Sequence, residues 1–108
     1  MKKIFLIFFV INLFFGVKVE AFTVTPSCLI GGSSCVGANG SIDPNIPVEV
    51  SNGDTTIFTV TPNINYSTLV VGTCGGNLVG TTYTTNIITN DCTVIAIFPS
   101  PTGIIIQY

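Results

Sequence analysis

The chain has no histidine. That removes the commonest general base, the usual partner of a Ser or Cys nucleophile, and the commonest metal ligand. Basic residues are almost as scarce. Lys2, Lys3 and Lys18 are the only ones, so nothing after position 18 carries a cation. A Ser–Lys catalytic pair is thereby excluded from the rest of the chain. Nucleic-acid binding depends on cationic side chains that displace counterions from phosphate, so no nucleic-acid partner is expected. The same shortage disfavours a polybasic contact with anionic lipid. The better helix formers Ala, Leu, Glu, Lys and Arg are few, and apolar residues nowhere keep a helical spacing over about ten residues.

The three lysines belong to the first segment. Lys2 and Lys3 precede an apolar stretch from Ile4 to Val17, and Val19 and Ala21 stand at the −3 and −1 positions of a cleavage site. This predicts a secretory signal peptide over residues 1–21. Its apolar run is shorter than the ~20 residues that span a bilayer, so no stable membrane span is expected after cleavage. The remaining 108 − 21 = 87 residues keep Asp43, Glu49, Asp54 and Asp91, a side-chain charge of −4. A chain of that size makes one small domain that benefits from staples. Its solubility must rest on hydroxyls and amides, and self-association is a risk.

The punctuation from residue 22 onward is that of a mostly β protein. "FTVT" alternates as a half-buried strand does and is closed by Pro26. "CLIGGSSCVGANG" reads as a loop up to Gly40, "GSIDP" as a short extended piece, and "VEV" as a strand before the Asn52-Gly53 turn. "TTIFTVTP", "YSTLVV" and the polar "TTYTT" are further strands, the last suited to an edge. "CTVIAIF" is apolar on both alternating faces and reads as a central strand covered on both sides. At most one helical turn fits around Asn63 to Tyr66, and "GIIIQY" reads as a last strand or tail.

Four cysteines in an exported chain point to two disulfides. Cys28 and Cys35 enclose six residues, and Cys74 and Cys92 enclose seventeen. Neither interval is the close pair that zinc or a redox C-x-x-C motif needs. Three connectivities are open, and Cys28–Cys35 with Cys74–Cys92 is favoured because each joins the ends of one loop. The carboxylates lack a "DxDxDG" calcium pattern, and Asp43, Asp54 and Asp91 sit where turns favour Asp. No metal or other cofactor is expected. Asn39-Gly40-Ser41 and Asn65-Tyr66-Ser67 match the glycosylation tripeptide.

Read together, "GANGSIDP", "VSNGDTTIFTVTPNINYS" and "GTCGGNLVGTTYTTNIITNDCTVIAIF" resemble one copy of a bacterial secreted repeat module, a divergent relative of the internalin-type B repeat. The matching elements are Gly40 to Pro44, Gly53 to Pro62, Tyr66, Gly72 to Gly76 and Asp91 to Phe98. The resemblance spans about residues 37–98. It implies a small β-grasp-like or all-β module, built as a single sheet, on exported or surface proteins with adhesive or spacer roles. It transfers no catalytic residue, and it supports pairing Cys74 with Cys92. Asn65 stands where the repeat commonly has Gly, the Cys28 to Cys35 segment is an addition, and only one copy is present.

The expected organisation is therefore a signal peptide (1–21), a strand with a Cys-bracketed loop (22–36), the repeat-like module (37–98) and a tail (99–108). The expected function is a non-catalytic secreted, periplasmic or cell-surface interaction or adhesion module, with a protein or glycan as partner. Its expected contact edge is Thr81, Thr82, Tyr83, Thr84 and Thr85, suited to strand addition. A disulfide-stapled inhibitor or effector presenting Gly31 to Ser34 is the alternative reading. A carbohydrate binder or hydrolase with paired carboxylates is the third.

Overall fold

A computed structural model describes residues 20–100. The expected signal peptide up to residue 19 and the GIIIQY tail lie outside the described residues, while Glu20 and Ala21 fall inside. Eight strands and no helix occur among the described residues, so the mostly β expectation holds. They are β1 (Ala21–Cys28), β2 (Gly40–Asp43), β3 (Val48–Ser51), β4 (Ile57–Pro62), β5 (Leu69–Val71), β6 (Gly76–Val79), β7 (Thr82–Thr85) and β8 (Cys92–Ile97).

The expected single sheet is corrected to two. The first has the order β3-β1-β8-β5 and the second β2-β4-β7-β6. The reason lies in the burial alternation. In β4, Phe58 and Val60 are buried while Ile57, Thr59 and Thr61 are exposed, and β1 buries Val24, Pro26 and Cys28 in the same manner. Each sheet thus has one apolar face to hide. One cluster formed by Val24, Val94 and Ala96 of the first sheet with Ile42, Phe58, Val60 and Tyr83 of the second hides both. Burying two such faces against each other is the sandwich solution. A β-grasp would instead set a helix against its sheet.

Strands adjacent in sequence mostly enter opposite sheets. The one consecutive pair that bonds is β6 with β7, joined through Gly80 and Thr81. Asn52-Gly53 does form a tight turn, with the Asp54 N–H donating to the Ser51 carbonyl at 3.0 Å. It carries the chain from β3 in one sheet to β4 in the other and closes no hairpin. Ile88, 1 % exposed, plugs the core beside this turn. Its backbone exchanges hydrogen bonds with Gly53 and Asp54, each at 2.8 Å.

β1 is an interior strand, antiparallel to β3 through Ala21–Val24 and parallel to β8 through Val24–Cys28. Pro26 therefore does not close it. Beyond Val24 no strand lies on the β3 side, so no ladder donor is asked of proline there. β8 is central as expected, between β1 and β5. Its inner residues Val94 and Ala96 are fully buried, but Ile95 and Ile97 on its other face are only partly covered.

Both disulfides form as favoured, Cys28–Cys35 and Cys74–Cys92. The first closes the loop that follows β1. The second ties the chain leaving β5 to the start of β8. It is flanked by a clasp in which the Thr73 N–H donates to Thr93 Oγ1 at 3.1 Å and the Thr93 N–H donates to Thr73 Oγ1 at 3.0 Å. Gly72 makes this approach feasible, because a Cβ there would sit 2.3 Å from the Thr93 carbonyl oxygen and its φ is +123°.

Candidate interaction surface

The Thr81–Thr85 segment is a strand, as expected, but not an edge. β7 is hydrogen-bonded to β4 on one side and β6 on the other, so its backbone is already satisfied. The cause is "GNLV", Gly76–Val79, which the turn-rich composition hid. It folds back as β6 and covers the edge that β7 would have offered. Tyr83 and Thr85 point into the core, 4 % and 3 % exposed. Burial pushes the Tyr83 phenol above its ordinary pKa.

What β7 does offer is side chains. Thr82 and Thr84 point outward, and register places Asp43, Thr59, Thr82 and Val79 in one row and Ile57, Thr84 and Asn77 in the next. The outer face of the second sheet is thus a hydroxyl-rich array bordered by Ile57 and Val79, which are 57 % and 69 % exposed.

The outer face of the first sheet is graded. Its first row is polar, with Thr25 opposite Thr93 and the Thr73 clasp beyond. The next row runs Ser27, Ile95, Val71. In the last, Leu69 faces Ile97, and the Leu29 N–H continues the β1–β8 ladder by donating to the Ala96 carbonyl at 2.9 Å. Leu29 is 62 % exposed, Leu69 51 % and Val71 40 %. Contiguous apolar patches that exceed what a monomer ordinarily shows mark contact sites, which makes this end the candidate surface. Ile30 and Val36, on the loop closed by Cys28–Cys35, are exposed as well. Leu29, Ile30, Ala96, Ile97, Phe98 and Pro99 help to line an apolar depression of about 170 Å³ at this end.

Glu49 and Asp91 keep to the opposite end of this sheet. Glu49 Oε2 accepts from the Thr23 hydroxyl at 2.8 Å, and Asp91 Oδ1 accepts from the Thr23 N–H at 2.9 Å. Two carboxylates therefore do meet, around one threonine on a sheet face. A second cavity, an open cleft of about 380 Å³, is lined by Thr73, Cys74, Asn90, Asp91 and Cys92 among others, and Glu49 is not among its walls. Each acid oxygen holds a backbone or hydroxyl donor of β1, a positioning role in the sheet. Among the described residues no three His, Cys, Asp or Glu side chains stand together as a metal site would require. No helix among them is long and apolar enough to cross a membrane. Of the two glycosylation tripeptides, Asn65 is exposed at a turn, whereas Asn39 is half-buried and its carbonyl accepts from the Asn63 N–H.

No family model, no curated protein and no solved structure matches this chain. The surface must therefore be read from its own chemistry. Sequence reading assigns Ile95 and Ile97 to a covered face and "LVV" to an ordinary strand. The signal that unites them is the register of β5 and β1 on β8, which composition does not carry. Leu29 is hidden more simply, inside a loop rich in Gly and Ser.

Proposed function

We propose that this chain is a non-catalytic exported interaction module, one copy of a repeat-like β domain that acts at or beyond the cell surface. The observation that carries the reading is the contiguous apolar end of the first sheet, where exposed Leu29, Leu69 and Val71 adjoin the partly buried Ile95 and Ile97, while the other exposed apolar side chains, Ile46, Ile57, Ile64, Val79 and Ile87, lie outside these rows. Two disulfides that each close a loop support an oxidising compartment, where such bonds persist. The resemblance to a secreted repeat module supports the same assignment, and the interior position of β1 extends the unit beyond residues 37–98 to include the N-terminal strand.

The test is retention of extracellular or surface material on the immobilised mature chain, compared with a Leu69→Thr/Val71→Thr variant. Threonine is β-branched and suits a strand at both positions, and it removes apolar area. Loss of a retained species in the variant is the expected result. Identical retention by both, or none by either at high load, would remove the apolar end from the proposed function. A second reading, a stapled inhibitor or effector, draws on Leu29, Ile30 and Val36 of the Cys28–Cys35 loop. A synthetic cyclic peptide of that loop that competes by itself would favour it.

A further inference from the structure

We infer that the partner of the apolar end is a second copy of this chain, packed face to face on the outer surface of the first sheet. The inference rests on the interaction reading above and names its partner.

Charge selects the occupant. The described residues carry Glu20, Asp43, Glu49, Asp54 and Asp91, and no Lys or Arg follows position 18. A contact between two copies that included any of these acids would set like charges together with no cation to offset them. The rows Ser27–Ile95–Val71 and Leu29–Ile97–Leu69 form a surface free of charge altogether. An uncharged apolar patch is also self-complementary, as a two-fold contact requires, because each copy presents the same residues to the other. A cationic partner, by contrast, would seek the end that holds Glu49 and Asp91.

The strand edges agree. β3 carries Glu49 and is preceded by Pro47, and β2 carries Asp43 and ends at Pro44. These are the usual guards of an edge strand. β5, "LVV", and β6, "GNLV", have no charge or proline within them, and of the two only β5 adjoins the apolar rows of the first sheet. Its Leu69 and Val71 extend the apolar rows of β8 to the margin of the sheet, so nothing on that side repels an incoming copy.

Area sets the strength. A stable dimer commits roughly 800 Å² and 20–30 residues a side. Two short rows with the neighbouring Ile30 and Val36 fall well short of that. An association through so small a patch is weak and reversible. Ionic strength gives a sign test. Each mature copy bears a side-chain charge of −4, so salt screens repulsion between copies and strengthens the dimer, whereas it would weaken a contact with a cationic partner.

The experiment is sedimentation equilibrium of the mature chain, both disulfides intact, from micromolar to millimolar concentration at low and high salt. The expected result is a mass rising toward that of two copies, more steeply at high salt. Leu69→Thr/Val71→Thr, and separately Ile95→Thr/Ile97→Thr, should each weaken the association about tenfold or more. Circular dichroism and intact mass confirm that each variant is folded and oxidised. Loss through the β5 pair alone, with the β8 pair neutral, would replace face packing by edge-to-edge pairing and overturn the inference. A monomer at every concentration would also overturn it. If such a monomer still retained surface material through Leu69 and Val71, the interaction module would stand with a foreign partner.

Discussion

The Cys74–Cys92 bridge offers the most quantitative test of how this small domain is held together. The perturbation is the double replacement Cys74→Ala/Cys92→Ala, with Cys28–Cys35 left intact. The bridge spans 18 positions. The chain-entropy relation gives about 3.2 kcal/mol for a loop of that length at 25 °C. The other bridge spans 7 positions, for which the same relation gives about 2.4 kcal/mol. Native geometry should survive the loss of Cys74–Cys92. The Thr73–Thr93 clasp and the bond from the Cys74 N–H to the Thr93 carbonyl at 3.1 Å still hold the two segments together. The effect therefore falls mainly on the unfolded chain. For a domain of this size about 3 kcal/mol lowers Tm by roughly 15 °C. The assay is thermal unfolding by circular dichroism, with urea midpoints as a second measure. A shift under about 3 °C would refute the reasoning, since the bridge would then constrain nothing the unfolded chain is free to lose. A larger loss from Cys28→Ala/Cys35→Ala would also refute it, by showing that native packing around buried Cys28 outweighs loop length.

Four further outcomes follow from named contacts. Gly40→Ala puts a Cβ 2.5 Å from the Phe98 ring. It should lower the urea midpoint by the equivalent of about 1–3 kcal/mol, and Phe98→Leu in the same chain should return part of that loss. Thr73→Val and Thr93→Val each break one side of the clasp for about 1 kcal/mol or less, and a double-mutant cycle should show them coupled, because either change leaves the partner's N–H without its side-chain acceptor. Burial raises the Tyr83 pKa in the folded state, so the unfolded chain ionises first as pH rises. Stability is then full below about pH 10 and falls above it. Tyr83→Phe should flatten that alkaline decline in a pH series of urea midpoints. Asn65 lies at φ +71°, so Asn65→Gly should be neutral to mildly stabilising, while Asn65→Ala should cost about 1 kcal/mol in the same denaturation assay.

Much of the architecture is legible in local pattern. Alternation locates β1 and β4, a β-branched and aromatic Thr-rich stretch locates β7, and an apolar run locates β8; in each, residues two apart share burial, as Val24, Phe58, Val60, Tyr83 and Val94 show. Asn65 keeps the left-handed turn that glycine would otherwise supply, and the disulfide pairing favoured because each bridge joins the ends of one loop is the one that forms. What is not legible is whatever depends on partners distant in sequence. "GNLV" is a strand only because β7 lies beside it. Pro26 continues β1 only because the pairing with β3 ends at Val24, opposite Val48. The proposed contact surface fails to show for the same reason. Thr81–Thr85 has the composition of an edge, yet pairing decides what is an edge, and pairing gave that place to β6.

The two sheet faces also divide this weakly charged chain into a hydroxyl-rich surface and an apolar end. On the second sheet Thr59, Thr82 and Thr84 expose hydroxyls in neighbouring rows, which water can satisfy without charge. On the first sheet Thr23, Glu49 and Asp91 knit a polar corner, so the apolar rows are confined to the far end by the ladder itself. Moving polarity toward that end should make the point directly. Ile95→Thr extends the polar row by one step and leaves Leu29, Ile97 and Leu69 as a single apolar row, too narrow to close over a second copy. Association should fall while the thermal midpoint holds to within about 5 °C, since Ile95 is only partly buried. If stability collapsed instead, Ile95 would belong to the core, and the apolar end would be a packing feature of the sandwich rather than a surface kept for contact.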